Sequence, residues 1–410
     1  MNTRQITKAY ERYAIPVYNR NGIAVARAAG SWVWDQEGRR YLDFFPGWGV
    51  NSLGHCHPRV VKAIRAQAKR LIHVPNTFYH EPHARLAQGL IRESFDGKVF
   101  FTNSGAEAVE AAIKLVRRFG QSGRRAGSSR RAGSSRRAGP RRWEIITMEN
   151  SFHGRTLGAL AATGQPKYQR GFEPILPGFR HVPFNSIQAV KRVLRPQTVA
   201  VMLELIQGEG GIHIASKEYV RQLRKLCDQR NLLLIFDEIS TGMGRTGTLF
   251  CFEPYGVIPD ILLLGKGIAG GAPLGVLIAG RHISDTWEKS THATTFGGNP
   301  LVTAAGWAAL QAIREEKLLV NVRKQGRYLL GKLEQIRRRN RKIRQVRGRG
   351  LMIGIELRRP GAAVVKAALQ RGLLINCTQD KILRMYPAFT VTKREIDQAV
   401  KILEEALIEG

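Results

Sequence analysis

The clearest hydrophobic pattern in the chain lies between residues 231 and 266. Five apolar residues, 232–236, are followed directly by Asp237, and a second apolar run, 261–264, is followed by Gly265 and Lys266. Short apolar runs bounded by charged and turn-forming residues are typical of buried parallel strands. Ligands of open α/β sheets bind at the carboxyl ends of the strands. Asp237 and Lys266 are therefore either two parts of a binding site or ordinary solvated charges at two strand ends.

The same pattern continues on both sides of this stretch. Further strands are predicted at residues 99–101, 144–148 and 199–203, and helices at 60–71 and 219–230. Strands that alternate with helices indicate an α/β fold with a mostly parallel central sheet flanked by helices. From residue 299 onward the pattern changes to long helices around one strand, 351–356, which indicates a smaller α+β unit. Near the amino end, two apolar segments flank residues 35–38 and predict a hairpin.

One predicted helix begins in a turn of small residues. Ser104 and Glu107 have the spacing of a capping box, and Glu110 and Lys114 have the spacing of an ion pair along the helix. A helix that begins this way presents free N–H groups and the positive end of its dipole, which suits a phosphate group. The alternative is a plain capped helix without a ligand.

The charge of the chain is unusual, with 65 Lys and Arg against 32 Asp and Glu and a net charge of +33. Residues 124–142 contribute eight arginines and no acid in a repeated Arg-Arg-Ala-Gly-Ser-Ser pattern. This composition predicts a flexible surface insertion, which is either an RNA- or phosphate-binding arm or, as we favour, a tolerated repeat expansion. A second basic run, 337–349, is more typical of a solvated face. Neither run contains an aromatic residue, so nucleic-acid binding is not expected.

Other classes of protein are disfavoured by composition. No stretch approaches the roughly 18 to 20 apolar residues of a membrane span, and the first residues lack the apolar core of a secretion signal, so we expect a cytoplasmic protein. Four cysteines without paired spacing indicate reduced thiols. His55, Cys56 and His57 could suggest a metal site, but without further ligands we prefer a packed turn before a helix and expect no metal.

Five ordered motifs together resemble the class III pyridoxal-phosphate aminotransferases, and the resemblance covers nearly the whole chain. The motifs are residues 101–108, 151–158, 207–211, 236–247 with Lys266, and 295–300. The resemblance implies fold type I of the pyridoxal-phosphate transferases. It also implies three segments: residues 1–48 as the amino-terminal part of a small domain, 49–298 as the large cofactor-binding domain, and 299–410 as the carboxyl-terminal part of the small domain.

The resemblance also implies a role for each cofactor-binding residue. Lys266 would form a Schiff base with pyridoxal 5'-phosphate and later move the proton between the substrate carbon and the cofactor. Asp237 would keep the pyridine nitrogen protonated, which makes the ring an electron sink. Phe152 would stack on the ring. The remaining cofactor contacts would come from Ser104, Gly105, Ala106, Ser240 and Thr295. Because Thr295 would reach the phosphate of a neighbouring subunit, the resemblance implies a homodimer with shared active sites.

The substrate contacts implied by the resemblance centre on two arginines. Arg155 and Arg384 would bind substrate carboxylates, a task that suits the guanidinium fork. Glu209 would pair with Arg384 while the amine donor is bound and release it for 2-oxoglutarate. Trp48 and Thr294 complete the expected substrate contacts.

The activity implied is transfer of the terminal amino group of N2-acetyl-L-ornithine to 2-oxoglutarate, a step of arginine synthesis. Ornithine, succinylornithine, 4-aminobutyrate and acetyl-lysine-type donors are the alternatives. Trp48 stands where ornithine-specific members have a tyrosine, which argues against free ornithine. Ser240 replaces a usual glutamine, Leu205 a common proline and Gly265 an alanine, so the resemblance implies the chemistry and leaves the exact donor open.

Overall fold

The computed structural model describes residues 1–122 and 141–409. The predicted insertion at 124–142 therefore lies outside the described residues, apart from Arg141 and Arg142. The α-helices are α1 (Thr3–Tyr13), α2 (Pro58–Ala68), α3 (Glu81–Glu93), α4 (Gly105–Gln121), α5 (Leu157–Ala162), α6 (Pro166–Gln169), α7 (Ile187–Val193), α8 (Lys217–Arg230), α9 (Arg281–Ser284), α10 (Pro300–Glu315), α11 (Leu318–Arg339), α12 (Ala362–Gln370) and α13 (Lys393–Glu409).

The strands are β1 (Val25–Ala29), β2 (Trp32–Asp35), β3 (Arg40–Asp43), β4 (Gly97–Thr102), β5 (Glu144–Met148), β6 (Phe179–Val182), β7 (Thr198–Leu203), β8 (Ile206–Gln207), β9 (His213–Ile214), β10 (Leu233–Asp237), β11 (Ile261–Leu264), β12 (Gly275–Gly280), β13 (Ile343–Arg349), β14 (Met352–Leu357), β15 (Leu373–Leu374), β16 (Asn376–Thr378) and β17 (Ile382–Met385). Short 3₁₀ turns occur at Pro46–Gly49, Glu253–Tyr255 and Lys266–Ala269.

A seven-stranded sheet in the order β4-β12-β11-β10-β7-β5-β6 forms the centre of the fold. The pairs from β11 to β6 are all parallel, which confirms the predicted mostly parallel sheet. β12 is antiparallel to both of its neighbours, and the sequence analysis did not identify it. Every residue of β7, β10 and β11 is buried, as expected for strands covered by helices on both faces.

Helix α4 packs against this sheet through an apolar face. Val109, Ile113 and Val116 are at most 2% exposed. The predicted ion pair between Glu110 and Lys114 is wrong, because each side chain has a partner outside the helix. Glu110 accepts hydrogen bonds from the backbone N–H groups at the start of α5, and Lys114 contacts His292 at 2.9 Å.

The amino-terminal and carboxyl-terminal segments meet in a second sheet. β2 and β3 form the predicted antiparallel hairpin, and β15 extends the sheet by pairing in parallel with β3. A third sheet, β13-β14-β17-β16, contacts helix α11. These pairings favour one small domain built from both ends of the chain, and the domain limits at 48 and 298 stay a prediction.

The basic run 337–349 is divided between the end of α11 and β13. Arg339 pairs with Glu404 at 2.7 Å and Arg344 with Glu356 at 2.9 Å. Lys342 donates to the carbonyl of Leu407 at 2.6 Å, near the end of α13. A cation at this position complements the negative end of a helix dipole. Arg339 and Lys342 therefore join the last helix, α13, to the end of α11 and the residues that follow it.

The histidines around Cys56 have separate carboxylate partners. His55 lies 2.8 Å from Asp43. His57, the N-cap of α2, lies 3.2 Å from Glu316. No group of three or more His, Cys, Asp and Glu residues within 1–122 and 141–409 is arranged to hold a metal ion. In the same part of the chain, no helix has the length and apolar character needed to cross a membrane.

Candidate active site

Asp237 and Lys266 lie at the same edge of the central sheet. Asp237 is the last residue of β10, and Lys266 begins a 3₁₀ turn two residues after β11. The two strands are parallel neighbours, with Asp237 opposite Leu263, so their carboxyl ends open on the same side. Asp237 is 3% exposed, which rules out the alternative of an ordinary solvated charge for this residue.

The backbone of Lys266 has an uncommon conformation. Its φ of 42° lies in the left-handed region, which residues other than glycine seldom adopt. Such a conformation persists only where the surrounding structure holds it, and it is most frequent at functional sites. The Nζ atom of Lys266 donates a hydrogen bond to Oγ of Ser240. The position of the lysine is therefore fixed by its backbone conformation and by its hydrogen bond to Ser240, which stands where the family usually has a glutamine.

The pKa of Lys266 is lowered, because burial disfavours the charged ammonium group. Three carboxylates, Glu209, Glu204 and Asp237, act in the opposite direction without cancelling the effect. A lowered pKa increases the share of neutral amine near neutral pH, and the neutral amine is the form that attacks a carbonyl group or accepts a proton.

The carboxylate of Asp237 is fixed by two hydrogen bonds. Its Oδ2 lies 2.7 Å from Nδ1 of His153, and its Oδ1 accepts from the N–H of Ile239 at 3.1 Å. The His153 ring is fully buried, and its Nε2 atom has no hydrogen-bond partner within the described residues. A carboxylate oriented in this way can face a cationic ring nitrogen, since an opposite charge stabilises the protonated form.

Helix α4 begins at Gly105, beside the lysine turn. Ser104 is the N-cap and accepts a hydrogen bond from the N–H of Glu107 at 3.2 Å. The other half of the predicted capping box is absent, because the Glu107 carboxylate accepts instead from the N–H and the side-chain amide of Asn103. The first N–H groups of the helix remain available for an anion.

Close packing joins three parts of the site. A Cβ atom on Gly265 would lie 3.4 Å from the Cα of Gly105, and 3.1 Å from the side chain of Ile239. A Cβ atom on Gly154 would lie 2.9 Å from the Cβ of Ala106. The start of α4, the lysine turn and the turn after Phe152 are therefore neighbours. The glycine at 265, where the family usually has alanine, fits the tight contact with Ile239.

A cavity of about 790 Å³ opens above Lys266. Six of the residues predicted for the site line it, namely Trp48, Phe152, Arg155, Glu209, Lys266 and Arg384. The other lining residues are Asn19, Lys167, Tyr168, Pro360, Ala362, Asn376, Cys377, Thr378, Gln379 and Asp380. The cavity is of the size that small-molecule sites usually have, and four of its lining side chains are cationic.

Arg384 and Glu209 form an ion pair in this cavity, with Nη1 and Oε1 separated by 2.5 Å. Arg384 is 2% exposed. Its guanidinium group also donates to the carbonyl of Gly208 at 3.0 Å and to Oδ1 of Asn376. The arginine therefore has a fixed orientation and a carboxylate partner on the cavity wall.

Arg155 occupies a different part of the wall and is exposed. Its guanidinium carbon lies 4.0 Å from the centre of the Tyr168 ring and 5.6 Å from that of Phe152. Stacking on an aromatic ring orients the guanidinium group while leaving its N–H donors free. Phe152 is half-buried, and its ring meets Tyr168 edge to face at 5.8 Å.

Three predicted residues have a looser relation to the cavity. Trp48 lines it but is 55% exposed, with a φ of 60°. Thr294 and Thr295 are not among its lining residues. The Thr294 hydroxyl accepts from the N–H of Gly297 at 3.1 Å, while Thr295 is exposed. The structure of one chain therefore does not bring these two threonines to the cavity.

Sequence reasoning missed four residues that shape the site: His153, Glu204, Tyr168 and Asn376. Glu204 could have been found from the sequence, because it is a carboxylate at the carboxyl end of the buried strand β7, just as Asp237 is at the end of β10. The other three are recognisable only from their contacts with Asp237, Arg155 and Arg384 in the folded chain.

The groups at this site fit pyridoxal phosphate. An amine, Lys266, and a buried carboxylate, Asp237, lie on adjacent strand ends, and the free N–H groups at Gly105 and Ala106 are suited to a phosphate. Phe152 supplies an aromatic face on the cavity wall. This set of donors matches the aldehyde, the ring nitrogen, the phosphate and the flat ring of that cofactor.

Comparisons with known proteins agree with the site. The family Aminotransferase class-III matches residues 14–407. An acetylornithine aminotransferase of Caldanaerobacter subterraneus subsp. tengcongensis is 47% identical over 400 residues, which cover 97% of this chain and 98% of the relative. The corresponding protein of Methanocaldococcus jannaschii is 46% identical over 401 residues, 97% of either chain.

Solved structures give the same result. An ornithine aminotransferase of Toxoplasma gondii superposes with a TM-score of 0.92 at 29% identity, over 100% of this chain and 95% of its own. An acetylornithine aminotransferase of Elizabethkingia anophelis has a TM-score of 0.85 at 30% identity, with all of both chains covered. The fold is that of the pyridoxal-phosphate aminotransferases. More specifically, the chain belongs to the class III aminotransferase family.

Proposed function

We propose that the protein is a pyridoxal-phosphate-dependent transaminase that moves the terminal amino group of N2-acetyl-L-ornithine to 2-oxoglutarate. The products are N-acetyl-L-glutamate 5-semialdehyde and L-glutamate, and the step belongs to arginine biosynthesis. The observation that carries the chemistry is the placement of Lys266 and Asp237 at adjacent parallel strand ends, with Lys266 lining the cavity. The choice of donor is supported by relatives at 41% to 47% identity that are acetylornithine aminotransferases.

When bound, pyridoxal phosphate supplies an electron sink that stabilises negative charge on the substrate carbon next to the transferred amino group. In this proposal, Lys266 would hold the cofactor through its carbonyl carbon, with loss of water, and would accept and return the proton of the substrate carbon, a role suited to its lowered pKa. Asp237, oriented by His153, keeps the ring nitrogen protonated. Ser104, Gly105 and Ala106 bind the phosphate at the start of α4, and Phe152 packs on the ring. Ser240, which accepts from Lys266 Nζ, positions the amine.

Two arginines would bind the substrates. Arg155, exposed on the cavity wall and oriented by its contact with the Tyr168 ring, is suited to a carboxylate that both substrates carry. Arg384 has Glu209 as its partner at 2.5 Å, so a donor with no second carboxylate leaves this pair closed. A dicarboxylate such as 2-oxoglutarate would displace Glu209 and occupy the guanidinium group.

Free ornithine is the nearest alternative donor, followed by succinylornithine, 4-aminobutyrate and acetyl-lysine-type amines. The indole of Trp48 on the cavity wall offers no phenol to a free α-amino group, which favours the acetylated donor. Thr294 is kept as a substrate contact in this proposal, although it does not line the cavity of a single chain.

We also propose that the enzyme is a homodimer with shared active sites. Thr295 is exposed, and several large side chains near the amino end and around residues 71–79 are exposed as well, among them Tyr13, Tyr18, Phe78 and Tyr79, each at least 63%. A second copy of the chain would cover such side chains and bring Thr295 to the partner's phosphate site.

The four cysteines are free thiols, which supports a cytoplasmic location.

Two measurements test the proposed function. Purified protein reconstituted with pyridoxal phosphate is expected to absorb visible light, and Lys266→Ala is expected to lose that band and all turnover. Steady-state rates on a panel of donors are expected to be highest for N2-acetylornithine. A protein that cannot be loaded with the cofactor contradicts the chemistry, whereas a higher rate on free ornithine contradicts only the choice of donor.

A further inference from the structure

Glu204 is a buried carboxylate at the centre of the site that does not line the cavity. It follows β7 and is 4% exposed. Both of its oxygens accept hydrogen bonds from backbone N–H groups: Oε1 from Phe152 and Oε2 from Gly208, each at 2.9 Å. The carboxylate therefore joins two loops that are separated by more than 50 residues of sequence.

Each of the two loops carries a different part of the site. The first loop presents the Phe152 ring to the cavity and continues into His153, the partner of Asp237. In the second loop, the Gly208 carbonyl accepts from Arg384 at 3.0 Å, and the next residue, Glu209, is the ion-pair partner of the same arginine. Contacts to the cofactor ring and to the substrate carboxylate thus depend on backbone segments held by one side chain.

We propose that Glu204 is a positioning residue that holds the Phe152 loop and the Gly208 loop together. The surface that contacts the cofactor ring and the site where Arg384 binds a substrate carboxylate then form as one unit. This inference rests on the proposed function and adds to it a residue that touches neither cofactor nor substrate. The Glu204 side chain offers an acceptor oxygen to each of the two N–H donors, whereas an amide offers one oxygen and one NH₂ group. In Glu204→Gln, the side-chain NH₂ group would face one of the two loop N–H groups, and two donors cannot form a hydrogen bond. The volume of the side chain is almost unchanged.

Glu238 provides a matched control. It follows β10 as Glu204 follows β7, is 1% exposed, and accepts from the N–H groups of Cys251 and Phe252 at 2.6 and 2.8 Å. Neither Cys251 nor Phe252 lines the cavity. Glu238→Gln makes the same chemical change in an equally buried carboxylate, but it affects a different loop.

The experiment measures two dissociation constants in the wild type and in both variants. One is for pyridoxal phosphate, after removal and reconstitution of the cofactor. The other is for glutarate, a dicarboxylate that cannot react, bound to the reconstituted enzyme. Loss of a buried hydrogen bond that leaves an N–H donor unsatisfied corresponds to about a tenfold change or more. Glu204→Gln is expected to raise both constants by about that factor, and Glu238→Gln to change each by less than about threefold.

A readout that needs no cofactor separates this inference from the proposed function. In the cofactor-free protein, Glu204→Gln is expected to speed amide hydrogen exchange in peptides containing Phe152 and Gly208, and Glu238→Gln in peptides containing Cys251 and Phe252. Wild-type protein that does not bind pyridoxal phosphate would contradict the proposed function, while the exchange pattern would still test Glu204.

The inference is overturned if Glu204→Gln weakens only one of the two ligands, if it weakens neither, or if Glu238→Gln weakens both equally. If Glu204→Gln does not fold, Glu204→Asp replaces it, because the shorter carboxylate can reach only one of the two N–H groups. The same double loss is then expected, and an Asp variant with wild-type affinity for both ligands overturns the inference.

Discussion

The Nδ1 atom of His153 lies 2.7 Å from Oδ2 of Asp237, and both side chains are buried. Asp237 is already fixed in orientation by this contact and by the N–H of Ile239. A carboxylate that faces a protonated ring nitrogen acts best when it does not move, and these two hydrogen bonds restrict its movement.

His153→Ala is therefore expected to weaken both cofactor binding and turnover. The variant removes the partner of Asp237, and a lost hydrogen bond to a charged group corresponds to a drop of about 10- to 100-fold in affinity or rate. Titration of the cofactor-free protein with pyridoxal phosphate and a steady-state assay measure the two effects.

His282→Ala is the matched control, because His282 lies 3.0 Å from Asp260 at the opposite end of β11. It removes a histidine–aspartate contact away from the cavity and is expected to leave cofactor affinity unchanged. Equal losses in the two variants would mean that His153 acts only through stability.

Ser240→Ala tests the contact between the serine hydroxyl and Lys266 Nζ. The hydroxyl oxygen accepts from the ammonium group and so favours the charged form, which means that its removal should lower the pKa of Lys266 further. The pH midpoint for acylation of Lys266 in the cofactor-free protein, followed by mass spectrometry, is expected to move to lower pH. Thr241→Val is the control, since the buried Thr241 hydroxyl has no hydrogen-bond partner within the described residues. An unchanged midpoint in Ser240→Ala would contradict the expectation.

Lys266→Met is expected to abolish turnover and to stabilise the cofactor-free protein. Burial lowers the pKa of Lys266 in the folded protein from its ordinary value of 10.5, so the unfolded chain binds this proton more tightly. The wild-type free energy of unfolding should therefore rise with pH up to about 10.5 on account of this group. The methionine variant lacks this dependence and should have the higher melting temperature at pH 7, with a difference that shrinks towards pH 10.

Lys98→Met serves as the control for this stability measurement. Lys98 is exposed and pairs with Asp285 at 2.6 Å, and exposed ion pairs contribute little to stability. Its loss should change the melting temperature slightly at every pH. A lower melting temperature for Lys266→Met at pH 7, or a difference independent of pH, would contradict the lowered pKa.

The positions of Asp237 and Lys266 could be predicted because they follow from local pattern. Each ends or follows an apolar run, and parallel pairing of β10 with β11 brings those ends together. The small-residue turn before α4 was equally readable, since N-cap chemistry depends on residues three apart. Local signals of this kind predicted most of the sheet, the two strand ends that carry Asp237 and Lys266, and the N-cap of α4.

Contacts between distant segments could not be predicted from such signals. Glu110 and Lys114 have the right spacing for a helical pair, yet tertiary contacts with α5 and His292 replace it. Arg245 lies in a turn-rich segment of ordinary appearance but is 1% exposed. It donates to the carbonyls of Leu351 and Pro387, more than 100 residues away. The partners of a polar side chain depend on which elements pack beside it, and the pattern of one segment does not contain that information.

Glu209→Gln tests how one cavity can accept two unlike substrates. Arg384 is 2% exposed, and its ion pair with Glu209 is 2.5 Å long. A buried cation that loses its carboxylate partner is destabilised, so binding of N2-acetylornithine, which leaves the pair closed, should weaken. Binding of 2-oxoglutarate should strengthen, because its carboxylate no longer displaces Glu209. We expect the KM for the donor to rise by about tenfold and the KM for 2-oxoglutarate to fall.

The control for this last variant is Glu356→Gln, which breaks the 2.5 Å pair between Glu356 and Arg347. Neither residue lines the cavity, so both KM values should stay near those of the wild type. Steady-state kinetics with each substrate varied in turn measures the effect. Because Glu209 competes with one substrate and complements the other, the two KM values must move in opposite directions. A rise in both would show that Glu209 only supports the fold of the cavity wall.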